Sequence, residues 1–330
     1  MKKNFTSKLL LNFLIVLLFC SCSHKPEQHF EGAAFGTLYH IYYYGSSSEI
    51  PTLRRQTDSV LAELNATFSI FDTTSLLCRL NRGEQATLNR DFLTVLQASQ
   101  DIAQKTGGAF DCTCQPLVEL WGFGKTKERK TVPQACIDSV KSFTGYRLIV
   151  LQGDSLVKAD PRTQINFNAI AKGYAADVVS KFLKSKGYKD HIVEIGGEIV
   201  ACGTKDGKAW KVGIQMPTET ADGAVESMRH FSLQDKAVAT SGNYRNYFEE
   251  NGVRYTHILD PTTGHPEQTN LLSVSVIAPD CMTADAYATA FMVLGMQKAE
   301  EIIRQTPGLE AYFIYDDNGK FKTKHIKPKH

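Results

Sequence analysis

The chain has 330 residues, 42% hydrophobic and 22% charged, with a formal net charge of +2. That composition belongs to a globular protein able to bury a full core, in one large domain or two close lobes. Three of the positive charges, Lys2, Lys3 and Lys8, lie in an N-terminal leader, and without them the net charge drops to −1, so bulk electrostatics gives no case for a nucleic-acid partner.

The leader reads as an export signal. A basic start is followed by an apolar run from Leu9 to Phe19, broken only by Asn12. That run is short for a membrane span and fits a signal h-region. It ends in Cys20-Ser21-Cys22-Ser23. A small residue directly before a cysteine is the pattern of bacterial lipoprotein processing, and Cys22 follows Ser21 whereas Cys20 follows bulky Phe19. The expectation is a signal peptide over residues 1–21, lipid on Cys22, a polar tether over 22–32, and a folded domain over 33–330. Six cysteines remain: Cys78, Cys112, Cys114, Cys136, Cys202 and Cys281. Their spacing shows no disulfide framework, and Cys112-x-Cys114 is too tight for an easy bridge or a typical zinc half-site. They are expected to be buried thiols.

Residues 35–44 predict a strand. Helical spacing covers 51–66, through Leu53, Val60, Leu61 and Leu64, and again 91–106, where Gly107-Gly108 ends it. Residues 133–142 predict a short helix and 147–158 a strand pair. Beyond 165 come a helix after "NAIAKG", a strand pair broken at Gly196-Gly197, further strands in "WKVGIQMP", "HFSLQDKAVATSG" and "VRYTHILDPTTG", and a buried strand in "LLSVSVIAP". Helices over 282–295 and 297–305 and a last strand in "EAYFIYDD" finish the chain. Strands outnumber helices, and hairpin connections are many. The fold class expected is α+β, with mixed or antiparallel sheets, flanking helices and two intimate lobes.

Four places carry groups that can do chemistry. Lys172-Gly173 opens a helix, where free N–H groups and a lysine suit an anion, although the spacing is not that of a Walker A loop. Gly196-Gly197 marks either a plain turn or a close backbone approach to a ligand. His257 ends a strand before a Pro-Thr-Thr-Gly turn, where it is either a hydrogen-bonded structural residue or a base. Asp260 there is a turn former. Asp285 and Thr289 stand four residues apart, on one face of a helix for which Thr283 is a plausible N-cap. Capping and the helix dipole account for Asp285 alone, but they do not require Thr289. Carboxylate and hydroxyl oxygens are hard donors that suit Mg²⁺, which usually bridges to a phosphorylated ligand.

The segments "GTLYHIYYY", "FSIFDTTSLLCRLN", "GGAFDCTCQPLVELWGFG", "FNAIAKGYAAD", "VEIGGEI", "ATSGNYRNYF", "YTHILDPTTGHP" and "MTADAYATAFMVLG" occur in that order. Together they resemble the ApbE family of FAD:protein FMN transferases over roughly residues 33–315. The resemblance implies Mg²⁺-dependent cleavage of FAD, transfer of FMN to a threonine hydroxyl of a target protein, and release of AMP. It implies targets among flavin-carrying subunits of membrane redox complexes, and a lipoprotein facing the periplasm. FAD hydrolysis to FMN and AMP, or FAD binding without chemistry, are the alternatives. Carried over residue by residue, the resemblance puts Mg²⁺ on the backbone oxygen of Ala169 and the side chains of Asp285 and Thr289, with His257 and Asp285 catalytic. It puts FAD against Phe35, Phe71, Ala109, Phe110, Asp111, Asn166, Lys172 and Leu259. Phe35, Phe71 and Asn166 depart from the usual methionine, tyrosine and aspartate, which alters shape, a hydroxyl and a charge respectively.

Overall fold

The structure, a computed structural model, describes residues 26–124, 132–153, 155–215, 228–243, 247–250 and 253–328. The leader and Cys22 lie outside these residues. Strand β1 (Glu27–Ala34) pairs with β2 (Thr37–Tyr44), so residues 27–32, expected within a tether, belong to the sheet. The single strand expected over 35–44 is the second arm of this hairpin. Phe35 and Gly36 form its turn, Phe35 with a φ of 51°.

One eight-stranded sheet runs through the molecule. Its order is β1, β2, β5 (His191–Ile195), β6 (Glu198–Cys202), β9 (Lys236–Gly242), β12 (Leu271–Ala278), β13 (Glu310–Asp317) and β14 (Lys320–Ile326). Every neighbouring pair is antiparallel. Three ribbons stand apart from it: β3 (Ile149–Gln152) with β4 (Ser155–Lys158), β7 (Trp210–Gln215) with β8 (Met228–Leu233), and β10 (Tyr247–Glu250) with β11 (Val253–Thr256). The α+β class expected from the sequence holds.

Alternation along the strands sends neighbouring residues to opposite faces. On one face Tyr39, Ile41, Val193, Ala239, Val276 and Phe313 pack in a large core with the helices. These are α1 (Ile50–Phe68), α2 (Leu76–Asn81), α3 (Arg90–Lys105), α6 (Ala171–Ser185) and α7 (Cys281–Gln305). On the other face Ala201, Val238, Ile277, Tyr312 and Ile314 pack against Trp210, Val212 and Phe231 of the β7–β8 ribbon. A third cluster gathers Leu117 of α4 (Gln115–Leu120), Trp121, Ile137 of α5 (Gln134–Lys141) and Leu259. The two main packed layers share the strands of one sheet, which joins what the sequence suggests as two lobes. Among the described residues no helix is long and apolar enough to cross a membrane.

Candidate active site

Helix α7 sets the position of Asp285 and Thr289. Its N-terminus is capped twice. Asp280 is the N-cap and accepts from the Thr283 N–H at 2.8 Å, and Asp177 of α6 accepts from the Cys281 and Met282 N–H groups, each at 2.9 Å. Thr283 is therefore not the cap the sequence suggests: the cap lies three residues earlier, and Asp285 stands beyond the first turn. Capping no longer accounts for the Asp285 carboxylate. Burial pushes Asp177 up to about 7, against the pull of its two N–H donors.

The Asp285 carboxylate turns to the start of α6, where its Oδ2 accepts from the Gly173 N–H at 3.0 Å. The helix N-terminus expected to take an anion thus already holds one, supplied by the protein. Gly173 is required for this approach, since a Cβ there would collide with the Cys281 carbonyl and crowd the Asp285 Cβ.

Lys172, one residue earlier, ion-pairs with Glu198 at 2.5 Å. Glu198 opens β6, directly after the Gly196-Gly197 turn, and is only 3% exposed. Burial would lower the Lys172 pKa, but the carboxylates of Asp285 and Glu198 outweigh it and hold the lysine above its ordinary value. Burial, then the Asp285 charge, pushes Glu198 upward against the pull of Lys172. Burial likewise raises Asp285 against Lys172 and the Gly173 N–H. One cation faces two buried carboxyl groups, and Glu198, pushed up to about 8, keeps its proton at neutral pH. The second Glu198 oxygen, Oε2, is buried with no hydrogen-bond partner.

These groups line a cavity of about 440 Å³. It brings together Ala109, Phe110, Asp111, Asn166, Ala169, Lys172, His257, Leu259, Asp285 and Thr289, ten of the twelve residues implied by the family resemblance. Phe35 and Phe71 are the two it leaves out. Phe35 lines a separate hollow beside the β1–β2 turn, with Arg54 and Asp58, and Phe71 is 70% exposed. Glu198, Thr240, Ser241 and Phe123 also line the cavity, and the sequence reading did not single them out. Ser241 Oγ lies 3.5 Å from Thr289 Oγ1.

The cavity walls are braced from within. Asp111 Oδ1 accepts from the N–H and hydroxyl of Thr113 at 2.7 and 2.6 Å, and Oδ2 accepts from the Tyr146 N–H at 2.7 Å. Its carboxylate is thus engaged in holding the turn. Asn166 donates to Gln115 Oε1 at 2.5 Å and accepts from the Asn168 N–H at 2.7 Å, which shapes the loop that carries Ala169. His257 follows β11, with the Phe123 ring edge-on at 6.4 Å between centroids. Asp260 holds the following turn through the Thr262 N–H at 2.8 Å, as expected. Cys114 lines the cavity, but burial and the Asp111 charge push its thiol up to about 12, so it is no thiolate at neutral pH. All six described cysteines are unpaired. Cys78, Cys112, Cys202 and Cys281 are buried as expected, Cys114 is partly so, and Cys136 is exposed, contrary to expectation.

The ApbE family pattern matches residues 35–313. The chain is 36% identical over 323 residues to an FAD:protein FMN transferase of Vibrio cholerae serotype O1, covering 95% of this chain and 96% of that one. It is 32% identical over 326 residues to the FAD:protein FMN transferase of Escherichia coli K12, covering 93% and 92%. Its fold is similar to that of the flavin transferase ApbE from Vibrio cholerae, with a TM-score of 0.82, 34% identity and coverage of 91% and 97%. It is similar also to the apo form of the Pseudomonas stutzeri flavinyl transferase, with a TM-score of 0.83, 32% identity and coverage of 93% and 96%.

Proposed function

The chain belongs to the ApbE family, and on that premise we propose that it is an FAD:protein FMN transferase, moving FMN from FAD to a threonine hydroxyl of an acceptor protein and releasing AMP. The observation that carries this reading is the meeting of Asp285, Thr289, Ala169, Lys172 and His257 around one cavity, from three separate parts of the chain.

The donor set fits Mg²⁺. Carboxylate, hydroxyl and carbonyl oxygens are hard ligands. The unpartnered Glu198 oxygen offers one more buried polar atom for a cation to satisfy. We assign the ion to Asp285, Thr289 and the Ala169 carbonyl; when bound it neutralises charge on the pyrophosphate oxygens. The chain's own residues do the rest. Lys172, kept protonated by its carboxylate neighbours and fixed by Glu198, presents positive charge to the phosphates. His257 takes the proton from the acceptor threonine. The threonine oxygen then bonds to the FMN phosphorus, and the bond from that phosphorus to the bridging oxygen breaks. AMP leaves with the electron pair of that bond. Ala109, Phe110, Asp111, Asn166 and Leu259 wall the FAD-binding space. Phe35 and Phe71 lie outside that lining, and we build the binding set without them.

We place the mature protein on the membrane surface facing the periplasm, held by lipid on Cys22. With β1 starting at Glu27, only a few residues separate that anchor from the sheet. The acceptors we propose are flavin-carrying subunits of membrane redox complexes.

The test uses the full-length protein in detergent with FAD, Mg²⁺ and an acceptor domain carrying a target threonine. The intact mass of the acceptor is expected to rise by one FMN unit, and EDTA is expected to abolish the change. AMP release with no change in acceptor mass would replace the transferase by a hydrolase. FAD left intact would remove the enzymatic reading.

A further inference from the structure

On the sheet face away from the helices, three neighbouring strands place polar residues in one row. Tyr39 and Ile41 point into the helical core, so His40 between them points the other way. In the antiparallel register His40 stands opposite Glu31 of β1 on one side and Glu194 of β5 on the other. His29, two residues before Glu31, shares its face. The His29 Nε2 and His40 Nδ1 atoms are 3.4 Å apart, and Glu31 Oε2 is 3.2 Å from the same His40 Nδ1. One ligand atom from each of the three residues falls within 4.8 Å of the others.

The geometry points to a transition-metal site built from His29, Glu31 and His40, with zinc as its ion. Tetrahedral zinc bound through nitrogen and oxygen at about 2.0–2.1 Å sets its ligand atoms about 3.3 Å apart, and two of the three separations here already stand near that value. Two imidazoles with one carboxylate are a borderline donor set, which selects zinc over the magnesium that the oxygen-lined cavity suits. The rings are held in place beforehand. His29 stacks on Tyr42 at 4.4 Å and lies nearly parallel to the His40 ring, at 12°. On the far side of His40, its Nε2 faces Glu194 Oε2 at 3.9 Å, the side from which a carboxylate orients a metal-bound imidazole. Glu194 is itself fixed, accepting from the Gly197 N–H at 2.6 Å. None of these residues lines the cavity of Asp285, so the site is a second one. Three protein ligands leave a fourth position for water. A bound ion ties β1, an edge strand of the large sheet, to β2.

Full-length protein in detergent, stripped with a chelator, is titrated with zinc against a chromophoric competitor in excess Mg²⁺, which occupies hard oxygen sites. The wild type is expected to bind about one equivalent with micromolar or tighter affinity. The variants His29→Ala and His40→Ala each replace a side chain on the open sheet face, and each is expected to lose affinity by about 100-fold or more. Glu194→Gln, which disturbs only orientation, is expected to lose about 10-fold. Co²⁺ in place of zinc is expected to give visible d–d bands without a thiolate charge-transfer band, which excludes the exposed Cys136 as a ligand. Zinc binding undiminished in the double histidine variant would overturn the site. Wild-type protein that binds no zinc at micromolar concentration would reduce it to a hydrogen-bonded histidine pair only.

Discussion

Asp285 and Glu198 share one lysine, and the competition of two buried carboxyl groups for it governs how their neighbourhood responds to substitution. Asp285→Asn keeps an acceptor for the Gly173 N–H and keeps the shape, but it removes the charge that draws the cation. The expected outcome is a protein with near wild-type thermal stability whose FMN transfer falls by about 100-fold or more. Transfer at the wild-type rate would remove Asp285 from the reaction. Glu198→Gln keeps a hydrogen-bond partner for Lys172 and removes the negative charge that Glu198 would take on beside a bound cation. The expected change is about a 10-fold rise in the Mg²⁺ concentration giving half-maximal rate, with the fold intact. An unaltered Mg²⁺ dependence would show that Glu198 serves Lys172 alone. These two carboxylates differ in how far the sequence discloses them. Asp285 and Thr289 are legible because both ride one helix, where a spacing of four fixes a shared face. Glu198 reaches the same place from a strand, next to a lysine 26 positions earlier in the chain. Only the Gly196-Gly197 pair before it hints that a ligand comes near. Phe35 and Phe71 differ again, since a family position implies an FAD contact for them while neither lines this cavity.

Elements were readable where burial imposes a period and obscure where it does not. The helices at 50–68 and 90–105 lie within a few residues of their predicted bounds because each packs a regular apolar stripe against the sheet. Strand β1 carries little strand signal in the sequence. It is an edge strand with one fully buried residue, Phe30, and its polar alternation resembles a tether. The start of α7 is hard to place from sequence because two of its three capped N–H groups are held by Asp177, more than a hundred residues away. The contact between α6 and β5 carries a pH dependence. His191 is buried, its Nδ1 3.0 Å from the Tyr188 carbonyl and its Nε2 2.7 Å from Ser180 Oγ. A carbonyl can only accept, so Nδ1 carries the proton and Nε2 accepts from the serine. Burial, with repulsion from Lys184 in support, lowers this histidine to about 4. As pH falls below about 6.5, the unfolded chain takes up a proton that the folded chain refuses until about 4. Stability is therefore lost on acidification across that window, by at most about 1.4 kcal/mol per pH unit and about 3 kcal/mol in total. Urea unfolding at a series of pH values is expected to show this slope in the wild type, reduced by about one proton in His191→Asn. Equal slopes in the two proteins would assign the acid sensitivity elsewhere.

At the scale of the whole molecule, the chain's two tryptophans report on different packing clusters. Trp210 sits under the β7–β8 ribbon and donates its indole N–H to the Cys202 carbonyl at 3.0 Å. Trp121 lies in the small cluster beside the cavity, donating to the Gly264 carbonyl at 2.8 Å and stacking on Tyr255. If these clusters belonged to separable lobes, each would unfold at its own denaturant concentration. The connections argue against that. In β9, Ala237 and Ala239 belong to the helical core while Val238 between them belongs to the layer of Trp210. In β13, Phe313 and Ile314 divide in the same way. Losing either layer strips one face from strands whose other face is still packed, and the exposed apolar surface makes the half-folded state costly. The small cluster joins the same unit through Ile258 and Leu259, adjacent residues that fall in the large core and in the cluster of Trp121. Trp121→Phe and Trp210→Phe each leave a single tryptophan. Both substitutions cost stability through the lost indole hydrogen bond, so midpoints are compared within each variant and not between them. In each, the fluorescence of the remaining tryptophan and the far-ultraviolet circular dichroism are expected to share one urea midpoint and one slope. An early fluorescence transition in the Trp210→Phe protein alone would mean that the substrate-facing cluster opens before the sheet. The site would then be a locally unstable region resting on a stable scaffold, and FAD would be expected to shift only that first transition.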